Sequence, residues 1–556
     1  MTDDNQTIPG VIPDKIFPIL TEEQIAKIVP YGKIRPVKKD EILLNVGEPL
    51  RHIFIVRHGE IQALHIIGKT EKLFAVCRDK QFTGELSLLS GRHAFVKLKV
   101  SEPGEVIEVN REDLLKLIQT DPELSEIFMR AYILRRVALI ANNVSDVVIV
   151  GSKHSSDTLR IKEFLTRNGY PYYYVDVEDD HAVQELLENF KVDISNIPVV
   201  ICRGESVLFN SSNQELARCL GFNEAIETTH IYDVVIIGAG PSGLSTAVYC
   251  ASEGLDILVL EEHAPGGQAG SSSRIENYLG FPNGISGQEL AGRAFTQAQK
   301  FGAQIMMAEK VKSLNCKRKP YTIQTDSDQE IQTKTIVIAS GAKYRKLSID
   351  NLSKFEGVGI YYGATFIEAQ ICEGEEVIVI GGGNSAGQAA VFLSESAKHV
   401  HMLVRSDELA KSMSNYLIRR IEESKKITVH MNTEIIKLEG VERLHTVHWR
   451  DNHSGKIEKH NIGHVFLMTG ATPNTDWLKK CIVLDKQGFI KTGPELSFED
   501  LTLSQWPLDR SPYFLETSLP GVFATGDVRS GNIKRVASAV GEGSSAVFFV
   551  HQILHE

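Results

Sequence analysis

Apolar and polar positions change their period along this chain of 556 residues, and the changes divide it into four units. In residues 15–142, short alternating strands such as His52–Val56 and Glu105–Val109 are separated by glycines. Helical patterns at Arg111–Gln119 and Pro122–Ile140 follow them. This order predicts a small antiparallel β-roll that is closed by helices.

The second unit, residues 145–227, has the pattern of a βαβ-containing structure. Val147–Val150 and Tyr172–Val177 have the composition of strands, and the amphipathic segment Asp157–Asn168 lies between them. Ile197–Ile201 supplies a third strand. We therefore expect a separate small α/β unit here.

The rest of the chain contains two buried strands, each followed at once by a glycine-rich loop and a helix. These strands are Ile231–Ile237 and Val377–Ile380, and their units continue with Ile257–Leu260 and His399–Val404. Apolar strands that alternate with helices are typical of parallel sheets covered on both faces. Since the chain is too long for one hydrophobic core, the sequence predicts a multi-domain α/β protein with two Rossmann-like, three-layer domains.

Composition narrows the range of partners. Hydrophobic residues make up 42% of the chain and charged residues 24%, as in ordinary globular proteins. The net charge of −11 is spread without a basic block, which argues against nucleic acid or a membrane as a partner. The polar start lacks the pattern of a secretion signal, and no apolar run approaches the roughly 20 residues that span a bilayer. We expect a cytoplasmic protein.

The cysteines are scattered, and no two of them form a Cys-x-x-Cys motif. This spacing disfavours zinc clusters and a disulfide framework and fits a reducing compartment, and no metal site is predicted. The seven cysteines are Cys77, Cys202, Cys219, Cys250, Cys316, Cys372 and Cys481.

Both glycine-rich loops have the context of a dinucleotide-binding βαβ unit. Gly238–Gly243 (GAGPSG) permits a tight turn and a close approach of a pyrophosphate to the helix N-terminus, and Glu261 then accepts from a ribose hydroxyl. In the second unit, Gly381–Ala386 (GGGNSA) is followed by a strand that ends at Arg405. An acid at that position would favour NAD, whereas arginine suits a 2′-phosphate, so NADP(H) is favoured.

Residues 230–556 resemble the low-molecular-weight thioredoxin reductases. The strings that carry the resemblance are Pro265–Gln268, Ile275–Tyr278, Ile338–Gly341, Gly470–Asn474 and Gly521–Asp527. The resemblance implies an FAD domain in two pieces, 230–347 and 471–556, with an NADP(H) domain inserted at 348–470. It implies FAD as cofactor, NADPH as electron donor and a homodimer.

The same resemblance, together with the loop chemistry, assigns the binding residues. Those for FAD are Gly238, Gly240, Ser242, Gly243, Glu261, Gly267, Gln268, Asn277, Gly341, Gly526, Asp527, Arg535 and Val536. Those for NADP(H) are Gly381, Gly383, Asn384, Ser385, Ala386 and Arg405. For Arg535 two interpretations stay open: it lies at the N1–C2 edge of the flavin and raises its potential, or it is a surface residue that holds an interface or the FAD phosphates.

Thioredoxin reductases carry Cys-Ala-Thr-Cys where this chain has Gly363-Ala364-Thr365-Phe366. We expect Phe366 to stack on the flavin ring and Gly363 to leave a small opening there. Without these two cysteines, electrons cannot pass from the flavin to a disulfide in the way of the family. This favours an NADPH-dependent flavoenzyme with a non-disulfide acceptor such as ferredoxin, a quinone, a small oxidised metabolite or dioxygen. The alternatives are a thioredoxin-disulfide reductase with unconventional cysteines, Cys372 among them, and a redox or nucleotide sensor with little turnover.

Residues 15–142 contain a segment, Phe82–Ala94, that resembles the phosphate cassette of cyclic-nucleotide-binding domains. By that resemblance the backbone at Gly84, the Glu85 carboxylate and the Arg92 guanidinium hold a cyclic nucleotide. The segment is shorter than usual, and Gly91 stands where a proline is common. The unit either binds a nucleotide that modulates turnover, or it is a degenerate structural or dimerisation module.

Residues 145–227 are similar to the thioredoxin/glutaredoxin fold, including an Ile-Pro-Val at 197–199 that would carry a cis proline. The slot for the redox cysteines contains His154-Ser155-Ser156 instead. Because serine forms no disulfide, we interpret this thioredoxin-like unit as a docking or spacer domain. His154 is interpreted as a surface histidine at a helix start rather than as a proton carrier.

Overall fold

The computed structural model describes residues 13–67, 70–141, 145, 147–177, 197–202, 206–224, 226–227, 229–410, 412–478 and 481–556. In these residues the strands form six sheets, four of which are the main sheets of the units described below. This mixed α/β architecture confirms the predicted fold class.

The N-terminal roll is built from one antiparallel sheet with strand order β1-β5-β3-β4, and β2 pairs with β5. The strands are β1 (Gly32–Val37), β2 (Ile42–Leu44), β3 (His52–Ile67), β4 (Thr70–Cys77) and β5 (Lys97–Asn110). The helices are α1 (Pro13–Ile16), α2 (Glu22–Ile28), α3 (Arg111–Thr120) and α4 (Pro122–Ala141). Phe82, Phe128 and Tyr132 are fully buried in the core between the roll and α4.

A small four-stranded unit follows, which we call the small module (residues 147–224). Its sheet order is β7-β6-β8-β9, with β6 and β7 parallel and β8 antiparallel to β6. The elements are β6 (Val147–Gly151), α5 (Ser156–Arg167), β7 (Tyr173–Asp176), β8 (Val199–Cys202), β9 (Ser206–Phe209) and α6 (Asn213–Cys219). The Ile197–Pro198 peptide bond is cis, as the sequence predicted.

The first nucleotide-type unit has a seven-stranded sheet of order β12-β11-β10-β15-β14-β13, and β26 pairs with β15. The strands are β10 (Ile231–Ile237), β11 (Ile257–Glu261), β12 (Gln304–Met307), β13 (Val311–Asn315), β14 (Tyr321–Thr325), β15 (Glu330–Ile338) and β26 (Val522–Ala524). The helices are α7 (Pro241–Ser252), α8 (Gly267–Gly270), α9 (Gly287–Lys300), α13 (Phe498–Leu503) and α14 (Val536–His555). Because β26 lies near the C-terminus, this unit is completed only by the last part of the chain.

The second nucleotide-type unit is inserted between β15 and β26. Its parallel sheet has the order β17-β24-β18-β19-β20, and an antiparallel sheet, β21-β22-β23, packs beside it. The strands are β17 (Ile360–Tyr361), β18 (Glu376–Ile380), β19 (His399–Leu403), β20 (Ile427–His430), β21 (Thr433–Gly440), β22 (Leu444–Asp451), β23 (Ile457–His460) and β24 (His464–Leu467). The helices are α10 (Phe366–Ile371), α11 (Asn384–Ser396) and α12 (Asn415–Glu423), and the two connections to the first unit pair as β16 (Ala342–Tyr344) and β25 (Ala471–Pro473).

One disulfide corrects the expectation drawn from cysteine spacing. Cys316 and Cys481 are bonded to each other although 165 residues separate them. They lie beside Trp477 and Leu484 at the flank of the first unit's core. Spacing along the chain did not predict this pair because the fold, not the sequence, brings the two residues together.

Among the described residues, no helix combines the length and the apolar character that crossing a membrane requires.

Candidate active site

A cavity of about 900 Å³ lies where the two nucleotide-type units and the small module meet. Most of the residues predicted for FAD line it. They are Gly238, Gly240, Ser242, Glu261, Gly267, Gln268, Asn277, Gly341, Gly526, Asp527, Arg535 and Val536. From the predicted NADP(H) loop, Asn384 and Ser385 line the same cavity, together with Gly363. The structure therefore brings the two glycine loops to one site.

The first glycine loop is shaped for close backbone packing. Gly238 has φ +103°, which favours glycine, and it joins the end of β10 to α7. A Cβ at Gly243 would lie 1.8 Å from the Gly238 carbonyl oxygen, so only glycine lets the helix approach the loop this closely. Gly243 itself does not line the cavity, and its role is to position Gly240 and Ser242, which do.

Glu261 ends β11 and faces the cavity while almost completely buried. Its carboxylate accepts hydrogen bonds from the backbone N–H groups of Ala239 (2.7 Å), His263 (2.9 Å) and Ala264 (3.2 Å). These donors fix the carboxylate beside the glycine loop. A carboxylate held there presents its remaining lone pairs to a ribose hydroxyl.

The C-terminal piece of the first unit contributes the opposite wall. Burial raises the pKa of Asp527 above its ordinary value, and the nearby Lys534 ammonium partly offsets this. Lys534 Nζ donates to the Asp527 carbonyl oxygen (3.1 Å). Arg535 is the N-cap residue of α14 and its side chain is exposed at the cavity. The helix N-terminus and two cations therefore lie at this wall, beside the Asp527 carboxyl group.

Of the second glycine loop, Asn384 and Ser385 line the cavity. Gly381 has φ +140°, and a Cβ there would lie 2.4 Å from the Met468 carbonyl oxygen. Arg405 follows β19 with an exposed side chain, and Gly381, Gly383, Ala386 and Arg405 do not line the cavity. An exposed guanidinium at a strand end suits the outer, phosphate-bearing part of a nucleotide.

The prediction that Phe366 stacks on the flavin is wrong for the arrangement in this structure. Phe366 is the first residue of α10, its side chain is 70% exposed, and it does not line the cavity. Gly363 does line the cavity and lies next to Ser271, whose Cβ would be 3.7 Å from a Cβ at Gly363. Tyr361 belongs to the apolar core of the second unit.

One wall of the cavity comes from α5 of the small module, which the sequence did not suggest. Arg167 Nη2 donates to the Gly267 carbonyl oxygen (2.7 Å), and Gln288 Nε2 of the first unit donates to the Thr166 carbonyl oxygen (2.9 Å). On the other side, Leu159 packs in the core of the second unit. Helix α5 therefore contacts both nucleotide-type units. Its amphipathic pattern predicted a buried face but gave no signal for this partner.

Two carboxyl groups meet at the α5 wall. Glu163 of α5 and Glu368 of α10 both line the cavity, and their side chains are hydrogen-bonded to each other. Burial is the largest cause that raises the pKa of Glu163, to about 9, and the bond to Glu368 adds to it. Sequence analysis did not predict an acid pair, because the two residues are far apart along the chain.

The residues predicted to hold a cyclic nucleotide are placed differently from the expectation. Glu85 is buried and pairs with Arg136 Nη2 of α4 at 2.9 Å. Arg92 is also buried, but its guanidinium lies 4.4 Å from the ring centroid of Phe222 in the small module. Burial lowers the pKa of Arg92 to about 10. Gly84 has φ +100°, which keeps the predicted turn.

The cavity fits a dinucleotide cofactor. The hydroxyl groups of Ser242 and Thr525 are buried without a hydrogen-bond partner, and both residues line the cavity. The N-terminus of α7 opens on the same space, where its free N–H groups favour a pyrophosphate. Unpartnered buried hydroxyls and a helix N-terminus are the groups that an FAD molecule would satisfy.

The fold and this cradle agree with comparisons to known proteins. The model of the pyridine nucleotide-disulphide oxidoreductases matches residues 232–543, more than half of the chain. The chain belongs to the pyridine nucleotide-disulphide oxidoreductase family. The model of the cyclic nucleotide-binding domain matches residues 34–121. Proteins of the thioredoxin reductase branch bind FAD and use NADPH, so the family confirms both predicted cofactors.

The relatives of this family member match its C-terminal part. The thioredoxin reductase of Mycoplasmopsis pulmonis is 33% identical over 322 residues, which are 57% of this chain and 95% of the relative. The thioredoxin reductase of Bacillus subtilis is 29% identical and covers 59% of this chain and 96% of the relative. The crystal structure of Lactococcus lactis thioredoxin reductase (FR conformation) matches with a TM-score of 0.52 at 28% identity, covering 58% of this chain and 98% of that one.

The small module lies between the two stretches that the family models match, 34–121 and 232–543. Its likeness to thioredoxin or glutaredoxin therefore stays a prediction. Its strand order and its cis Pro198 agree with that prediction, although neither matched family model covers the small module.

Proposed function

We propose that this family member transfers electrons from NADPH through bound FAD to an acceptor that is not a disulfide. The observation that supports this best is the lining of the cavity: none of its described residues is a cysteine. The motif position that carries two thiols in thioredoxin reductases is Gly363 and Phe366 here, and Phe366 faces away. Bound FAD would supply the two-electron chemistry, and the protein supplies binding, orientation and charge.

The chain's own residues divide this work. The α7 N-terminus, Ser242 and Glu261 hold the adenosine and pyrophosphate part of FAD. Asn384 and Ser385 orient the nicotinamide nucleotide, and Arg405 selects its 2′-phosphate. Hydride transfer needs no acid or base at the donor, so positioning is the main contribution of these loops.

The test is anaerobic mixing with NADPH in a stopped-flow spectrometer. We expect the flavin absorbance to bleach, and 2-methyl-1,4-naphthoquinone to restore it. Thioredoxin disulfide should not restore it. Tight FAD that NADPH bleaches but no acceptor reoxidises would favour a sensor instead.

A double cysteine variant is the positive control for disulfide reduction. Gly363→Cys with Phe366→Cys introduces two thiols at the motif position. After NADPH reduction and denaturation, thiol titration should find two more thiols than before reduction in this variant and no increase in the wild type. An increase in the wild type would contradict the proposal.

The second candidate is a thioredoxin-disulfide reductase with unconventional cysteines, which the relatives' names and one observation favour. The Cys316–Cys481 disulfide is a two-electron acceptor within the first unit. Neither residue lines the cavity, which argues against direct contact between the disulfide and the flavin. Cys372 is no better suited, because burial raises the pKa of its thiol to about 12.

We further propose a homodimer, formed through α7 and α14 of the first unit. Tyr249 and Phe548 expose 47% and 63% of their surface there, and both line one open hollow together with His551. Apolar side chains exposed together on two helices favour a partner surface. Analytical ultracentrifugation should give twice the mass of the chain, and a monomer at all accessible concentrations would contradict this.

A further inference from the structure

The Glu163–Glu368 pair has a geometry that neither glycine loop explains. Glu368 is 2% exposed, and its Oε2 accepts from the Thr365 backbone N–H (2.7 Å) and from the Thr365 hydroxyl. These bonds cap α10 and fix the carboxyl group in place. Capping of α10 does not explain why Glu163, which belongs to the small module, is bonded to the same carboxyl group.

A hydrogen bond between two carboxyl groups requires a proton on one of them, because ionised carboxylates only accept. Arg167, a cation that lowers the pKa of Glu163, lies one turn along α5 and donates to the Gly267 carbonyl oxygen. It offsets part of the negative charge and leaves the shared proton in place. Tyr361 and Cys372, titratable neighbours of Glu368, stay neutral because burial raises the pKa of both groups.

We propose that the Glu163–Glu368 pair is the proton donor to the electron acceptor, and that the acceptor is an uncharged carbonyl compound of the quinone type. This rests on the proposed function. Reduction of such an acceptor A follows NADPH + A + H⁺ → NADP⁺ + AH₂. Two electrons and one proton come from NADPH as a hydride equivalent. The second proton passes from the pair to the acceptor oxygen and is then replaced from water.

The position of the pair supports this role. Both carboxyls face the cavity that Gly363 and the flavin loop residue Gly267 also line. A proton donor at the cavity wall serves an acceptor that gains an O–H bond. It serves no purpose for a one-electron acceptor that takes no proton.

The test compares two acceptors in the same protein. The double variant Glu163→Gln/Glu368→Gln keeps the side-chain volumes but removes both carboxylic acids, whereas either single change leaves one of them. We expect reoxidation by 2-methyl-1,4-naphthoquinone to slow by about 10- to 100-fold, within the range for loss of a general acid. Reoxidation by ferricyanide and reduction by NADPH should change less than about twofold, since neither step uses the pair.

The pH profile adds a second readout. Since burial and the shared bond raise the pKa of Glu163 to about 9, the wild-type naphthoquinone rate should be constant below that pH and fall above it. In the Glu163→Gln/Glu368→Gln double variant this fall should be absent. Glu373→Gln, an exposed residue just after α10, is the matched control and should behave as the wild type.

A third readout does not depend on turnover. The infrared spectrum of the oxidised holoenzyme at neutral pH should contain the C=O stretch of a buried protonated carboxyl group, and this band should vanish in the Glu163→Gln/Glu368→Gln double variant. Equal loss of the naphthoquinone and ferricyanide rates, or persistence of the band in the double variant, would overturn the proposal. Failure of NADPH to bleach the flavin would instead overturn the proposed function.

Discussion

Gly243 shows how one missing methyl group can determine cofactor binding. Its Cα lies so close to the Gly238 carbonyl that a Cβ would meet the oxygen at 1.8 Å. Backbone atoms of the loop cannot move aside as a flexible side chain can. The site that Ser242 and Gly240 form therefore depends on a residue that does not itself line it.

We predict that Gly243→Ala weakens FAD binding. Overpacking of this kind costs about 1–3 kcal/mol, or a factor of roughly 5 to 150 in affinity. Fluorescence titration of the apoprotein with FAD measures it. Gly292→Ala is the control, because Gly292 lies exposed in α9 with open space around its Cα, and alanine there should leave FAD affinity unchanged while stabilising the helix by about 0.5–1 kcal/mol. Equal FAD affinity in the two variants would contradict the prediction.

At the scale of elements, strands β19, β20, β22 and β23 bring several imidazoles together in the second unit. His401 Nδ1 and His430 Nε2 are 3.2 Å apart, and the His460 ring stacks on Trp449 with centroids 3.6 Å apart. Burial lowers the pKa of His401 from 6.5 to about 4, and His399 and His430 add to the effect. His401 is therefore neutral at physiological pH and resists protonation.

The sign of the pH dependence follows from that shift. Above pH 6.5 His401 is neutral in both the folded and the unfolded chain. As the pH falls towards 4, His401 binds a proton in the unfolded chain but not in the folded chain. The free energy of unfolding therefore decreases by up to about 3 kcal/mol.

Urea unfolding between pH 4 and pH 7 tests this. The His401→Gln variant should lose less stability on acidification than the wild type, whereas the same change at the exposed His453 should leave the wild-type slope. Parallel slopes for all three proteins would show that His401 does not titrate as described.

The sequence predicted elements well and their docking poorly. The apolar run Val377–Ile380 gave β18 (Glu376–Ile380), and the helix predicted at Asp157–Asn168 is α5 (Ser156–Arg167). Periodicity reflects which face of an element is buried, and that information is local. It does not say which surface buries the face. The contact of Glu163 with Glu368 and the exposure of Phe366 could not be predicted for that reason.

At the scale of the whole molecule, the roll is attached to the rest of the chain through its own phosphate cassette. Besides the Arg92–Phe222 contact, Arg111 Nη1 pairs with Glu224 at 2.7 Å, and Asn223 is hydrogen-bonded to the backbone of Met307 in the first unit. A ligand that took Arg92 for its phosphate would break the first of these contacts. The packing favours the structural interpretation of the roll over nucleotide binding.

We predict that Arg92→Ala destabilises the docked arrangement by about 1–2 kcal/mol, since a desolvated cation–π contact is lost. The urea midpoint of the first unfolding transition measures it, and Arg51→Ala, at an exposed arginine of the same roll, is the control. Cyclic AMP should produce no binding heat with the wild type. Saturable binding heat that disappears in Arg92→Ala would show instead that the cassette binds cyclic AMP.

The position of β26 has a consequence for how the protein acquires its flavin during synthesis. Gly526, Asp527 and Val536 belong to the last 31 of the 556 residues, and they form the wall opposite the first glycine loop. The cradle can therefore close only after β26 has been synthesised and has paired with β15. A polypeptide truncated before Gly526 should lack the yellow colour of bound FAD.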